Sequence, residues 1–381
     1  KVVTDNLDTT NTLDSITVSD CTLDPVFNNA TTEYSCTVKN NVTTVNVNAT
    51  ATSKKAKVRG LGTKDLTVGK NTLPIRVIAE DGSEKIYNVN VTRKGGVTSL
   101  KNEIMKNKII TAEPTLTTSS NNTSDASGLY KSTATNTGEP TYYFRGAVEN
   151  NYVSFAGFTW RIVRINEDGT LRIVMQDGIN DNTTYAFNSN YNNYTYMYYS
   201  NSDAKTTLES WYQTNIGSKS DLAKNVASGN YYCEQAKTKL SDNWESGSAT
   251  MTTYTSYTSD FKCATDGNGK GLVNSNIGLL TYDDLIYAGN YVNQTNNSNY
   301  LNNGFSYWTM SPSGVDTFDM HSDIWFIYDN SNIDCLYVDW SNEKYGVGKK
   351  YYVSLRPVIN LKSDIQISSG DGTKENPFVV E

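Results

Sequence analysis

From Leu13 to Arg93 the chain alternates apolar and polar residues in short runs separated by turn residues. The runs are Asp14–Ser19, Tyr34–Val38, Val42–Ala49, Leu73–Ala79 and Lys85–Thr92. A period of two puts one face of each run toward a core and the other toward water, which is the signature of a strand. Asp81-Gly82, between the last two runs, is a strong hairpin turn. Short strands at regular spacing predict an all-β sandwich over residues 13–94, with residues 1–12 as disordered chain or linker.

The pattern changes after Gly95-Gly96, a hinge signal. Ser99–Asn107 reads as a short helix with Leu100, Ile104 and Met105 on one side. Pro114–Gly138, rich in Thr, Ser and Asn, reads as a linker or an arm, so residues 95–140 are expected to connect two domains. A second domain is expected over 141–381. Asn151–Ile165 is a strand pair with a glycine bend, and Leu171–Met175 is the return strand after the turn at Asp168-Gly169. Asp203–Ile216 predicts a helix whose Leu208, Trp211 and Tyr212 share a core face. Asp221–Ala227 suggests another helical turn. Asn180–Asn201, dominated by Tyr and Asn, reads as a surface loop. Ile277–Leu280 reads as a short buried strand. Thr281 then starts a helix, with Asp284 completing a capping box. Ser306–Met310 reads as a strand that ends at Ser311-Pro312. Trp325–Tyr328, Leu336–Trp340 and Val353–Leu361 complete the strand series.

Composition narrows the functional classes. The 381 residues carry a net charge of −7, which disfavours nucleic acid and anionic membrane surfaces as partners. Aromatics reach 11%, with 27 Tyr, whereas disordered chains are poor in them. No apolar run is long enough to span a bilayer. The polar start lacks the apolar core of a signal peptide and no wall-anchoring motif closes the chain. The expectation is an extracellular protein attached to a cell surface through segments absent from this chain.

The chemistry is sparse. The five cysteines are Cys21, Cys36, Cys233, Cys263 and Cys335, none in a CxxC pair, and the one histidine is His321. Close-spaced zinc ligands are therefore absent, and no metal site is expected. Cys21 and Cys36 flank the Pro25–Phe27 turn and lead into successive strands. A disulfide between them would contribute roughly 3 kcal/mol by chain entropy, the alternative being two buried thiols. Disulfides imply an oxidising compartment. His321, in Asp319–Asp323, reads as a surface residue rather than a base for a Ser or Cys nucleophile. Asp283-Asp284 reads as a helix start rather than a glycosidase pair. Asp266–Gly271 alternates oxygen ligands but lacks the closing Glu of a calcium loop. No cofactor is expected. Calcium is compatible with the sequence but has no locatable site.

Two resemblances add to this. Leu13–Ser19, Thr22–Phe27, Thr32–Tyr34, Val68–Asn71, Ile78–Ser83 and Tyr87–Arg93 resemble the cadherin-like β-sandwich repeat of bacterial surface proteins, without the acidic calcium motifs of true cadherins. Such repeats are usually spacers. Tyr142–Gly146, Asn151–Ile165, Ile277–Thr281, Tyr307–Pro312, Arg356–Leu361 and Asp371–Phe378 resemble a family of exported proteins from Gram-positive gut bacteria. The order of the Gly-Leu-Leu-Thr, Tyr-Trp-Thr and Arg-Pro-Val phrases is also similar to the C-type-lectin-like fold, in the branch that includes formylglycine-generating enzymes. The resemblance implies a multidomain chain, an Ig- or cadherin-like all-β sandwich followed by an α+β lectin-like head. It also implies a Cys233–Cys263 bond bracketing a variable segment, with Cys335 left as a small buried thiol. The reactive cysteine pair of formylglycine-generating enzymes has no counterpart, since only Cys335 lies in that region.

These readings lead to a non-catalytic adhesion or ligand-binding protein. Its expected partner is a host or cell-wall glycan, or a surface protein. The alternatives are a structural spacer, or a hydrolase with an unrecognised site. Exposed Tyr and Asn suit such contacts, because Tyr gives rigid contact area and Asn adaptable hydrogen bonds. The candidate ligand-binding residues are Tyr328, Asp329 and Tyr345 in the late strands, and Tyr191 and Tyr194 in the Tyr/Asn segment. Trp325 and Trp340 are expected to be core.

Overall fold

The computed structural model describes residues 7–96, 98–114, 116, 125–189, 197–235, 259–264, 271–291, 298–316, 321–337 and 353–380. The chain divides into two compact units, 1–97 and 98–381.

In the first unit the alternating runs become seven strands: β1 (Leu13–Val18), β2 (Glu33–Val38), β3 (Thr44–Ala51), β4 (Lys57–Arg59), β5 (Gly62–Asp65), β6 (Gly69–Ile78) and β7 (Glu84–Arg93). They form two sheets, ordered β1-β3-β5 and β2-β7-β6-β4. The inward positions supply one core, with Ile16, Val18, Val45 and Val47 from one sheet meeting Tyr34, Ile75, Val89 and Val91 from the other. Two buried tyrosines keep their hydroxyls bonded. Tyr87 donates to the Asn29 carbonyl at 2.8 Å, and Tyr34 donates to the Asn28 carbonyl at 2.6 Å. β6 and β7 form a ten-pair antiparallel hairpin, and β2 runs parallel to β7. The turn at Asp81-Gly82 needs Gly82 at φ 89°, a left-handed conformation open to glycine. Cys21 and Cys36 are bonded, with Cα atoms 5.7 Å apart. The chain enters β1 beside that hairpin turn, where the Asp81 amide donates to the Asp8 carbonyl. It leaves from the far end of β7, where Arg93 pairs with Gly69 and Val38.

The second unit is built on a mixed ten-stranded sheet. Its strands are β8 (Thr98–Ser99), β9 (Ile109–Ile110), β10 (Gly128–Ser132), β11 (Thr141–Arg145), β12 (Tyr152–Phe155), β13 (Phe158–Ile165) and β14 (Leu171–Met175). Later in the chain β22 (Val358–Leu361), β23 (Gln366–Ser369) and β24 (Phe378–Val380) complete it. β12 and β11 pair with successive stretches of β13, while β14 pairs along most of its length and also with β22. β14 is buried at every position, so the Arg172 side chain is carried into the core. A second sheet of five strands is ordered β15-β21-β18-β19-β20. These are β15 (Thr184–Tyr185), β18 (Tyr307–Asp316), β19 (His321–Ile327), β20 (Ile333–Tyr337) and β21 (Val353–Ser354). β16 (Gly229–Cys233) and β17 (Leu272–Ser275) form a separate hairpin. Helices cover Leu100–Ile104, Asp203–Tyr212, Ser220–Ala223 and Tyr282–Ala288. Among the described residues no helix is long and apolar enough to cross a membrane.

The structure departs from the sequence reading in four places. Part of the expected linker, from β8 through β10, belongs to the main sheet, because strands of two to five residues are too short to show a period. β18 does not stop at Pro312 but passes it with shifts of register on both sides. A shift of register removes the need for a ladder donor that proline lacks. Among the described residues of Asn180–Asn201, read as a surface loop, Phe187, Met197, Tyr198 and Tyr199 are in the core at 0% exposure. Ile277–Leu280 is buried but contributes only a single bridge, Gly278 to Val358. The helix beginning at Asp203 runs as read, with Leu208 and Tyr212 buried, and then widens into a π-turn over Gln213–Gly217.

Asn180, Asp181 and Asn182 hold three consecutive left-handed conformations, at φ 50°, 56° and 61°. Local bonds stabilise the turn: the Gly178 amide donates to Asn182 Oδ1 at 2.6 Å, and Thr183 Oγ1 donates to the Asn180 carbonyl at 2.6 Å. For L-residues this conformation costs about 1–2 kcal/mol each. Glycine avoids that cost but loses about 0.5–1 kcal/mol in chain entropy. The exposed Asp181, replaced by Gly, is therefore expected to stabilise the second unit by about 0.5–1 kcal/mol, measured by chemical denaturation.

Candidate functional site

A recess of about 300 Å³ opens where β13, the hairpin β16–β17 and the short segment 259–264 meet. Three elements position its walls. The β13–β14 turn supplies Asn166, Glu167 and Asp168, and β13 itself supplies Arg164. β16 supplies Asn230, Tyr231 and Cys233. The third wall is Phe261 and Cys263. Their segment is laid along residues 134–136 by the Phe261 amide donating to the Ala134 carbonyl at 2.8 Å and the Cys263 amide donating to Asn136 Oδ1 at 2.8 Å. The bond between Cys233 and Cys263, with Cα atoms 5.8 Å apart, ties this wall to the hairpin.

The side chains are held by one another. Glu167 Oε2 accepts from the Thr137 amide at 3.0 Å and from Thr137 Oγ1 at 2.7 Å. Partial burial works against its charge, but these bonds outweigh it and hold the carboxyl below the usual glutamate range. Asp168 Oδ1 accepts from the Thr170 amide and hydroxyl at 2.9 and 2.6 Å. Burial, together with the neighbouring Asp168 carboxylate, raises the Tyr231 phenol, so it stays protonated. Phe261 stacks on Tyr287 with ring centroids 3.9 Å apart, and the Arg164 guanidinium lies over its ring at 4.3 Å. Burial lifts Tyr287 to about 12.

Arg164 connects the recess to a buried ionic cluster. Its Nη1 is 3.2 Å from Asp284 Oδ1, and Arg172 Nε is 3.2 Å from Asp284 Oδ2. Asp284 also completes the helix cap: its Oδ2 accepts from the Thr281 amide at 3.0 Å while its own amide donates to Thr281 Oγ1 at 3.1 Å. Burial opposes ionisation of Asp284, and the fields of Arg172 and Arg164 outweigh it, so its acidity increases. Asp283-Asp284 thus sits at a helix start, as the capping reading has it. The partners of Asp284 are two strand arginines that lay unnoticed in apolar runs.

The candidate residues from the sequence do not line this recess. Tyr328 is half-buried, with its ring edge-on to Phe326 at 4.4 Å, and Asp329 is exposed, with its amide donating to Ser306 Oγ at 3.0 Å. Tyr345, Tyr191 and Tyr194 lie outside the described residues, as do Trp340 and the loop at Asp266. Trp325 is buried, at 4% exposure. The backbones of His321 and Cys335 lie in β19 and β20. The recess residues were missed because they come from three distant stretches of the chain. The available signal was the cysteine pair, whose bond closes the third wall. Among the described residues no cluster of His, Cys, Asp and Glu is arranged to hold a metal ion.

No curated protein matches the chain. Residues 13–94 match the family model described as a cadherin-like beta sandwich domain, and the two sheets packed around one core across that stretch agree with a sandwich. The first unit of this protein is a cadherin-like β-sandwich domain.

Proposed function

We propose that the protein is a non-catalytic surface adhesion module. The cadherin-like sandwich would act as the spacer and the second unit as a lectin-like head that binds a saccharide in the recess beside the Cys233–Cys263 bond. The observation behind this reading is the chemistry of the walls. Glu167 and Asp168 offer acceptors, Asn230 and Asn136 offer amides, and Tyr231 and Phe261 offer ring faces. Hydroxyl-rich rings present donors on their rims and C–H faces to aromatics, which suits this set. About 300 Å³ is at the small end for ligand pockets, so one ring of a longer glycan would enter. Arg164 is already engaged by Asp284, so the free charge in the recess is negative and an acidic sugar would be disfavoured. Export to an oxidising surface fits the two disulfides.

The test is a glycan array with the purified chain, followed by calorimetry on the hits. The exposed Asn230, replaced by Ala, is expected to weaken binding at least tenfold, about 1.4 kcal/mol, with an unchanged melting temperature. An array with no hits, or hits whose affinity ignores Asn230→Ala, would reject the recess as the binding site. Because the sandwich has its entry and exit at opposite ends, a ligand-free spacer is the second reading, and the empty array would favour it.

A further inference from the structure

Among the described residues of the second unit, buried arginines outnumber the carboxylates that face them. Arg164 and Arg172 share Asp284, and Asp283 adds its field to Arg164. Arg161 and Arg356, at 4% and 0% exposure, have no carboxylate among their bonded partners. Neutral acceptors satisfy part of each. Arg161 Nε donates to Asn151 Oδ1 at 2.6 Å and its Nη2 to the Val148 carbonyl at 2.7 Å, while its guanidinium lies over Tyr152 at 3.8 Å. Arg356 Nε donates to the Met175 carbonyl at 2.7 Å and its Nη1 to the Leu301 carbonyl at 2.7 Å, with the Tyr307 ring 5.0 Å away.

One donor of Arg356 is left over. Nη2 is buried and makes no hydrogen bond of good geometry, the Tyr307 hydroxyl being the one side-chain oxygen paired with this guanidinium. Tyr300 lies beside Arg161 and within the field of both arginines. Its ring centroid is 5.3 Å from the Arg161 guanidinium, its neighbour Leu301 accepts from Arg356, and its phenol feels the charge of both. The Tyr300 hydroxyl and the adjacent Asn299 Nδ2 are likewise buried without partners. Burial keeps Tyr300 protonated and hence a donor, Asp284 being the one carboxylate whose field reaches it. Unpaired buried charge is costly, and unsatisfied donors add to the cost.

We propose that Arg161, Tyr300 and Arg356 together bind a small monovalent anion, chloride in its simplest form, as a structural counter-charge. An anion supplies what the protein atoms omit there, a negative charge that accepts from Arg356 Nη2 and the Tyr300 hydroxyl together. A water molecule could accept the same bonds but would leave both guanidinium charges uncompensated. Two unpartnered amide oxygens, Gln176 Oε1 and Asn303 Oδ1, belong to residues joined by the Asn303 side-chain amide donating to the Gln176 backbone carbonyl, and an ordered water there is compatible with the anion.

The test uses the whole chain crystallised in sodium bromide, with diffraction recorded at the bromine edge. An anomalous peak in contact with Arg356 Nη2 and Tyr300 Oη is the expected result. Density at that position without anomalous signal identifies water and overturns the proposal, as does the absence of density. In solution, chloride is exchanged for gluconate, which is too large to enter, at constant ionic strength. The wild-type melting temperature is expected to fall and that of Arg356→Gln to stay unchanged. Equal responses from the two proteins would also overturn it.

Discussion

Replacing Asp284 by alanine is expected to cost the second unit about 4–6 kcal/mol, a large share of the roughly 5–15 kcal/mol margin of a typical domain. Asp284 is 1% exposed and lies 3.2 Å from both Arg164 and Arg172. Removing one member of a buried ionic group leaves the others charged and desolvated, which costs about 3–5 kcal/mol. Arginine cannot relieve this by losing its proton. The same substitution removes the carboxylate that bonds the Thr281 amide, a capping loss of about 1 kcal/mol. Chemical denaturation of the variant measures the sum, and a loss below about 1 kcal/mol would show that the cluster is solvated or redundant. A pH dependence follows from the same contacts. The acidity of Asp284 is increased in the folded state, so its contribution is complete above the ordinary aspartate pKa. The contribution disappears as pH falls through the lower folded value. The wild type is therefore expected to lose stability at acid pH more steeply than Asp284→Asn, which has no charge to lose.

The second large effect concerns the Cys233–Cys263 bond. It closes a span of 30 residues, for which chain entropy gives about 3–4 kcal/mol. Its loss should appear first at the third wall of the recess, because the bond is the covalent tie between segment 259–264 and the hairpin, beside the Phe261 and Cys263 amide bonds and the Phe261 stack. In Cys233→Ser/Cys263→Ser, amide exchange at Phe261 and Cys263 is expected to accelerate by orders of magnitude. The β13 and β14 amides should keep most of their protection. Uniform loss of protection throughout the unit would mean that the bond supports the whole fold rather than the wall.

The two units differ in how much of them the sequence discloses. In the sandwich each strand has one wet face, so Val45, Val47, Val89 and Val91 fall at alternate positions and can be read directly. In the second unit β14 and β22 are covered on both sides, and period-two alternation disappears. Leu171–Met175 still reads as a strand, but nothing in it shows that Arg172 is buried or that its partner lies 112 positions later in a helix cap. The recess has the same origin. Thr135, Arg164, Tyr231 and Phe261 meet only because β13, β16 and segment 259–264 are packed together. Enrichment in Tyr and Asn makes the Tyr/Asn stretch read as a second binding surface after the late strands. There Tyr198 and Tyr199, at 0% exposure, serve as core.

The sandwich also has a mechanical consequence. Its chain comes in at the hairpin turn by Asp8 and Asp81 and goes out past Arg93, a full β7 away, roughly 30 Å at the usual rise of a strand. Tension between the flanking segments is thus directed along the strands. The rungs joining β7 to β2 and β6 are loaded in parallel, as in a shear joint, and resist together instead of opening one at a time. If the domain does yield, the Cys21–Cys36 crosslink withholds the 15-residue stretch it encloses. The extension released is then shortened by roughly 50 Å, a difference that pulling single molecules with and without reductant would resolve.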